Sequence, residues 1–318
     1  MVAGVHAMRI LSLLFFLAGI NWLTAEDTVR MAAQRAILLI EKSASTYTEQ
    51  RDCFSCHHQA LTMMTLSHAT LAGLSVRDDT ISAQAKFTLE YFGDRKDRLP
   101  KGEGVPGGSY SAGYALAGLA VAKESTNEIS KALVQYLLKK QNKDGSWRIG
   151  THRPPLEDSH FTATALGIKG TPKGTHTKQA ANWLKQAKAK STEDHTFKVL
   201  GLHWAKADQE KTAAAKVLLK LQREDGGWAQ LPEMKSDAYS TGQALTALKQ
   251  SNLLKAGSPQ YKRGVEWLLK NQKADGSWQV KTRSKPIQKY FESGFPHGKD
   301  QFISISATCW AVMALLAK

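Results

Sequence analysis

Leu268-Leu269-Lys270-Asn271-Gln272-Lys273-Ala274-Asp275-Gly276-Ser277-Trp278 ends one helix and opens a turn, and the chain uses this phrase three times. The stretches Leu137-Leu138-Lys139-Lys140-Gln141-Asn142-Lys143-Asp144-Gly145-Ser146-Trp147 and Leu218-Leu219-Lys220-Leu221-Gln222-Arg223-Glu224-Asp225-Gly226-Gly227-Trp228 repeat its Leu-Leu, Gln, Asp-Gly and Trp positions. The tryptophans stand 81 and 50 residues apart, and the wider gap holds a degenerate copy, Ala181-Asn182-Trp183-Leu184-Lys185-Gln186. A period of about 40–50 residues indicates stacked supersecondary units, none of which buries its apolar face alone.

Apolar residues ahead of the phrase follow helical spacing: Ile129, Leu133, Tyr136 and Leu137, and again Tyr261, Val265, Leu268 and Leu269. The glycine after each helix suits the left-handed conformation that ends it. A second helix follows each turn, rich in small residues, as in Ala238-Tyr239-Ser240-Thr241-Gly242-Gln243-Ala244-Leu245. Counting outward gives six helix pairs, roughly 28–74, 80–124, 127–170, 176–206, 209–252 and 258–316. No alternating strand pattern with turn punctuation occurs. The expectation is one all-α domain over residues 26–318, with one helix of each pair outside and one inside a ring.

Composition agrees. With 42% apolar and 22% charged residues the chain is of ordinary globular type, which excludes disorder and collagen-like order, and three cysteines cannot build a disulfide scaffold. The net charge of +15 favours acidic partners, or serves only to keep the protein soluble. Nucleic-acid binding is the weakest reading, because the charge is dispersed and no nucleic-acid motif accompanies it. Arg9, the apolar run Ile10–Ile20 and the small residue before Glu26-Asp27 read as a secretory signal peptide over residues 1–25. Cleavage there predicts an exported protein, periplasmic or secreted, without a membrane span.

The Gln-x-x-x-Gly-x-Trp phrase after a Leu-Leu helix resembles the repeat of squalene and oxidosqualene cyclases and of the wider α/α-toroid superfamily, protein prenyltransferases included. The resemblance implies an (α/α)6 toroid with a central cavity. It is strong in units three, five and six and weak in the others. Two departures keep the cyclase activity from following directly. The Asp-x-Asp-Asp acid motif is absent, the nearest string being Glu157-Asp158-Ser159-His160, and there is one toroid where those cyclases have two. The zinc ligands of prenyltransferase β-subunits do not map onto this chain.

Cys53-Phe54-Ser55-Cys56-His57 is a Cys-x-x-Cys-His string, which in an exported protein reads as covalent haem c attachment. Cys53 and Cys56 would form the thioethers and His57 would ligate iron. A zinc site, a Cys53–Cys56 disulfide or two inert thiols are the alternatives.

Ring closure would bring the loops before the inner helices to one rim. These loops carry His57 and His58; Tyr110 and Tyr114; Glu157, Asp158 and His160; Glu193, Asp194 and His195; Asp237 and Tyr239; and His297 and Asp300. The named catalytic candidates are Asp158, His160, Asp194, His195, Asp237, Tyr239, His297 and Asp300. His160, His195 or His297 would supply a second iron ligand, and at least two of these are expected to face the same cavity as His57. Helix capping competes for every Asp. The segment Lys281–Gln301 is read as the closure between the last and first units, with a lid as the alternative.

Three functions compete: a haem c toroid transferring electrons to a redox partner; a terpenoid-cyclase- or prenyltransferase-like enzyme on an isoprenoid or other apolar substrate; and a non-catalytic toroid that binds peptide or lipid. In the second, Asp158 or Asp237 is the general acid, which requires a carboxyl kept protonated by desolvation.

Overall fold

The computed structural model describes residues 24–317, so the predicted signal peptide lies almost wholly outside them. Among the described residues twelve α-helices follow one another: α1 Ala25–Gln50, α2 Leu61–Leu71, α3 Thr80–Gly93, α4 Gly108–Val121, α5 Glu128–Lys140, α6 His160–Gly170, α7 Thr175–Gln186, α8 Thr192–Trp204, α9 Asp208–Lys220, α10 Ala238–Gln250, α11 Pro259–Asn271 and α12 Gln301–Leu315. A single π-helical turn, Cys56–Ala60, leads into α2. Among the described residues extended pairing is limited to two isolated bridges, Arg153 with Leu156 and Ala229 with Ser236. No helix among the described residues is long and apolar enough to cross a membrane.

The even-numbered helices form the inner ring. Each touches the next, and α12 returns to α2, so the ring closes as an α/α toroid. Outer helices bury one stripe: α11 buries Tyr261, Gly264 and Leu268, three or four residues apart. Inner helices are covered by their outer partner on one side and by the rest of the ring on the other, and α12 accordingly buries every residue from Ile303 to Leu315. Small residues permit the close approach. A Cβ on Gly242 would stand 2.6 Å from the backbone carbon of Trp310 in the neighbouring inner helix.

The repeated phrase is a clip. Gly276 takes φ +89°, where a side chain would collide with the backbone of Arg35 at 2.9 Å. Asp275 Oδ1 accepts from Ser277 N at 2.9 Å, and Trp278 folds back so that its Nε1 donates to Leu268 O at 2.8 Å. The Trp278 backbone N–H reaches Thr308 Oγ1 of α12 at 3.1 Å. Trp147 and Trp228 bond to Leu137 O and Leu218 O, and to Thr164 and Thr241, in the same way. Each clip glutamine joins its own turn to the next outer helix. Gln141 Nε2 donates to Gly145 O and His176 O, and Gln222 Nε2 to Gly226 O and Gln260 O. Gln272 Nε2 donates to Gly276 O and to Ala32 O of α1. The bond that joins successive units therefore also joins the last unit to the first.

Residues 281–300 cross one end of the ring. Arg283 N reaches Pro154 O and its Nε donates to Gln230 Oε1 at 2.8 Å. Further along, Ser293 O accepts from Ser43 Oγ of α1 at 2.8 Å, and Gly294 lies against Thr46. The segment closes unit six onto unit one, as the sequence predicts.

Candidate functional site

At the end of the ring where the inner helices begin, a cavity of about 600 Å³ opens over the N-termini of α6, α8 and α10. Phe161, Trp183, Leu231 and Tyr239 give it an apolar wall, Lys188, Lys190 and Arg283 stand at its edge, and Glu193 forms part of its lining. The local sequence dictates that placement. Ser191 caps α8, its Oγ accepting from Asp194 N at 3.1 Å while Asp194 Oδ2 accepts from Ser191 N and Lys190 N. Asp194 Oδ1 also takes the Ser159 hydroxyl at 2.6 Å, tying the starts of α6 and α8 together. With Asp194 committed to the cap, Glu193 turns inward and is 6% exposed.

Glu193 has neutral partners. Thr162 Oγ1 donates to its Oε1 at 2.6 Å, and Tyr239 Oη donates to its Oε2 at 3.1 Å. Burial pushes its carboxyl up to about 8; these two hydrogen bonds pull the other way, and the charges of Asp194 and Asp158 add to the rise. The shift favours the protonated acid at neutral pH, and the group lines a cavity with aromatic walls.

The other candidates are distributed. His160 and Asp158 line the cavity. His160 Nδ1 accepts from Ile149 N at 3.3 Å, and Asp158 is bonded to the exposed His152 ring. Asp194 lines the cavity as a cap, and Tyr239 lines it as the partner of Glu193. Asp237 caps α10 by accepting from Ser240 N at 3.0 Å; burial raises its carboxyl to about 6, but it lies beside Trp267 and Trp278 in a smaller cavity of about 200 Å³. His195 is partly buried in α8 and does not line the main cavity. His297 Nε2 donates to Ser277 Oγ at 2.6 Å, the hydroxyl being committed to Asp275. Asp300 is buried and accepts from Thr282 N at 2.9 Å, holding the crossing segment. The expected constellation of two or more histidines sharing one cavity with His57 is not formed. Of the three, only His160 lines the main cavity, and His57 does not.

His57 and His58 occupy that other side. The π turn brings two consecutive imidazoles together, with their Nδ1 atoms 2.5 Å apart. His58 Nε2 donates to Ser43 Oγ at 3.1 Å, since that hydroxyl is given to Ser293 O. Its ring stacks on Tyr47 at 4.5 Å, and Phe302 tilts against His57 at 5.4 Å. Burial lowers His57 to about 3 and His58 well below its usual value, with the His57 charge a further cause for the latter, so both rings are neutral. Cys53 and Cys56 are free thiols. Cys53 Sγ meets Tyr47 Oη of α1 at 3.3 Å, whereas Cys56 Sγ is buried against Ser111 Oγ of α4 at 3.7 Å. Two thioethers to one macrocycle require both sulfurs on one open edge. As arranged here they face different helices, an arrangement that two thioethers to one macrocycle do not fit. Among the described residues no group of three or more His, Cys, Asp or Glu side chains is arranged to hold a metal ion.

Glu193 stands among the rim residues in the sequence but not among the named catalysts. The signal that distinguishes it is Ser191-x-x-Asp194, a capping-box spacing that assigns Asp194 to the helix end and leaves its neighbour free.

Residues 189–318, which include α8 to α12 with Glu193 and Tyr239, match the squalene-hopene cyclase C-terminal domain. No curated protein matches the chain in sequence. Among solved structures, the type II terpene cyclase MstE from Scytonema is similar over 92% of this chain and 98% of its own, with 13% identity and a TM-score of 0.59. The unsaturated glucuronyl hydrolase from Bacillus sp. GL1 is similar over 89% and 96%, with 13% identity and a TM-score of 0.55. A possible member of the GH105 family from Salmonella enterica is similar over 93% and 95%, with 11% identity and a TM-score of 0.56. At these identities the likeness establishes the fold.

Proposed function

We propose that this toroid is an acid catalyst acting on an isoprenoid-type substrate, with Glu193 as the proton donor. The observation that carries the reading is a carboxyl held neutral by burial, with only neutral hydrogen-bond partners, at the wall of a cavity faced by Phe161, Trp183 and Tyr239. Glu193 would transfer its proton to a carbon–carbon double bond, and the cationic carbon so formed would be stabilised by the faces of the aromatic rings. Loss of a proton from a neighbouring carbon would end the reaction as a net isomerisation. The domain match over residues 189–318 supports this, as does the structure of an MstE variant with geranylgeranyl dihydroxybenzoate, a chain of the kind the cavity would take. Glu193 replaces Asp158 and Asp237 as the acid, because Asp158 is bonded to His152 and Asp237 lies outside the main cavity.

The test is turnover of geranylgeranyl dihydroxybenzoate or a plain polyprenyl alcohol by the parent and by Glu193→Gln, followed as cyclised or isomerised product. Product from the parent and its loss in the variant are expected; equal product from both overturns the assignment. Haem c attachment at Cys53 and Cys56, export and electron transfer to a redox partner form a separate proposal resting on the Cys-x-x-Cys-His string. It requires unit one to rearrange, and a haem-peroxidase stain of protein matured in a competent host decides it.

A further inference from the structure

The axis of the ring is built from side chains that meet across it. Phe197 of α8 and Trp310 of α12, helices separated by α10, bring their rings within 6.1 Å. Tyr110 and Tyr114 of α4 pack edge to face at 5.0 Å. Burial raises both phenols, and the charge of Glu193 on α8 adds to the rise at each.

This axis is polar and unfinished. Tyr110 Oη, Tyr114 Oη, both amide atoms of Gln243, the hydroxyls of Thr196 and Thr246, and Trp310 Nε1 are buried without a well-formed hydrogen bond; the two phenols approach each other, and Gln243 approaches Tyr239, without completing one. Their residues are at most 2% exposed. Buried polar groups are almost always paired, because leaving one unpaired forfeits its hydration with nothing in return. A cluster of them on four elements of one ring is therefore a set of donors aimed at something. All are neutral, and they are mostly O–H and N–H donors, with no cation to balance an anion. Glu193 and Tyr239, which line the rim cavity, stand directly above them; Gln243 and Thr246 continue the face of α10 that carries Tyr239, and Thr196 continues the face of α8 that carries Glu193.

We propose that the axis below Glu193 is a subsite for the uncharged, oxygen-bearing head of the substrate, a hydroxyl, carbonyl or ether. Its walls are in contact here and part when that oxygen takes hydrogen bonds from Tyr110, Tyr114, Gln243 and Trp310. The chain of the same substrate would then lie in the rim cavity, so the inference rests on that cavity being the substrate's mouth. A purely hydrocarbon substrate would leave the donors unpaired and bind more weakly.

The experiment measures calorimetric binding and thermal unfolding of the whole chain with farnesol and with farnesene, which has the same carbon skeleton, lacks the hydroxyl and carries one more double bond. The parent is expected to bind farnesol at least tenfold more tightly. Tyr114→Phe and Gln243→Leu should each reduce that preference at least fivefold and raise the Tm of the free protein by about 1–3 °C, since each removes an unpaired polar group. Tyr261→Phe is the control: its hydroxyl donates to Ala314 O at 2.9 Å, so its loss should lower Tm and leave the preference unchanged. Absence of a farnesol preference in the parent overturns the subsite. So does a preference that survives both variants, or a lowering of Tm by both as for Tyr261→Phe. Binding is read without turnover, so an inactive protein that still prefers farnesol breaks the acid assignment and leaves the subsite standing.

Discussion

The inner helices α8 and α2 start alike and finish as different chemistry. Ser191 at the start of α8 and Ser55 at the start of the π turn leading into α2 each accept a backbone N–H from three residues on, and each is followed by buried ionisable side chains. At α8 burial acts on a carboxyl and raises it, which produces a proton donor. Before α2 burial acts on two imidazoles and lowers them, which produces neutral bases locked to each other and to Ser43. Desolvation disfavours charge in both cases, and the sign of the result is set by whether the group is an acid or a base. What separates a reactive position from a structural one is cover. The short connection at 187–191 leaves Glu193 facing open space, while Phe291 of the crossing segment and Phe302 close over Tyr47 and His57.

The contrast is most severely tested by activity. Glu193→Gln is expected to reduce turnover by about 10²–10⁴, the usual range for loss of a general acid, while His57→Ala changes it less than about fivefold. Equal losses would erase the distinction between the two helix starts. Trp278→Ala, at a clip, should cost about 3–5 kcal/mol in denaturant unfolding, because the ring is fully enclosed and its N–H is bonded. A loss below about 1 kcal/mol would show that the clip does not hold the ring.

Titration should separate the two ends by sign. Glu193, raised from 4.5 to about 8, binds its proton more tightly in the folded state, so its contribution to stability is complete below pH 4.5 and is lost as pH rises to about 8. His57 and His58, both lowered from 6.5, contribute above pH 6.5; His57 loses that contribution as pH falls toward about 3, and His58 loses its own in the same direction. Glu193→Gln should remove the decline between pH 5 and 8 and leave the acid side untouched, a result checked by urea midpoints across that range. Gln272→Ala, which cuts the bond closing unit six on unit one, should cost about 1–3 kcal/mol. The smallest effect expected is at Asp194→Ala, about 0.5–2 kcal/mol of stability with activity kept within tenfold. A collapse of activity there would move the acid from Glu193 to its neighbour.

The amino-acid order by itself determined the units, their number and their hand-over. Clip residues such as Gln141, Gly145 and Trp147 recur at fixed spacing, and each acts on backbone a few residues away or on the next helix, so the pattern is local and readable. Asp194 and Asp237 as caps, and 281–300 as closure, were legible for the same reason. The tertiary structure alone decided which rim residue becomes the acid. Glu193 differs from the other rim carboxylates in being turned beneath Thr162 and Tyr239, contributed 31 residues before it and 46 after. It alone decided, too, that His160 lines the main cavity while His57 does not, and that Phe197 and Trp310 meet across the ring. Burial and cross-ring contact are properties of the closed ring, since desolvation depends on every chain segment around a group and no local spacing encodes it.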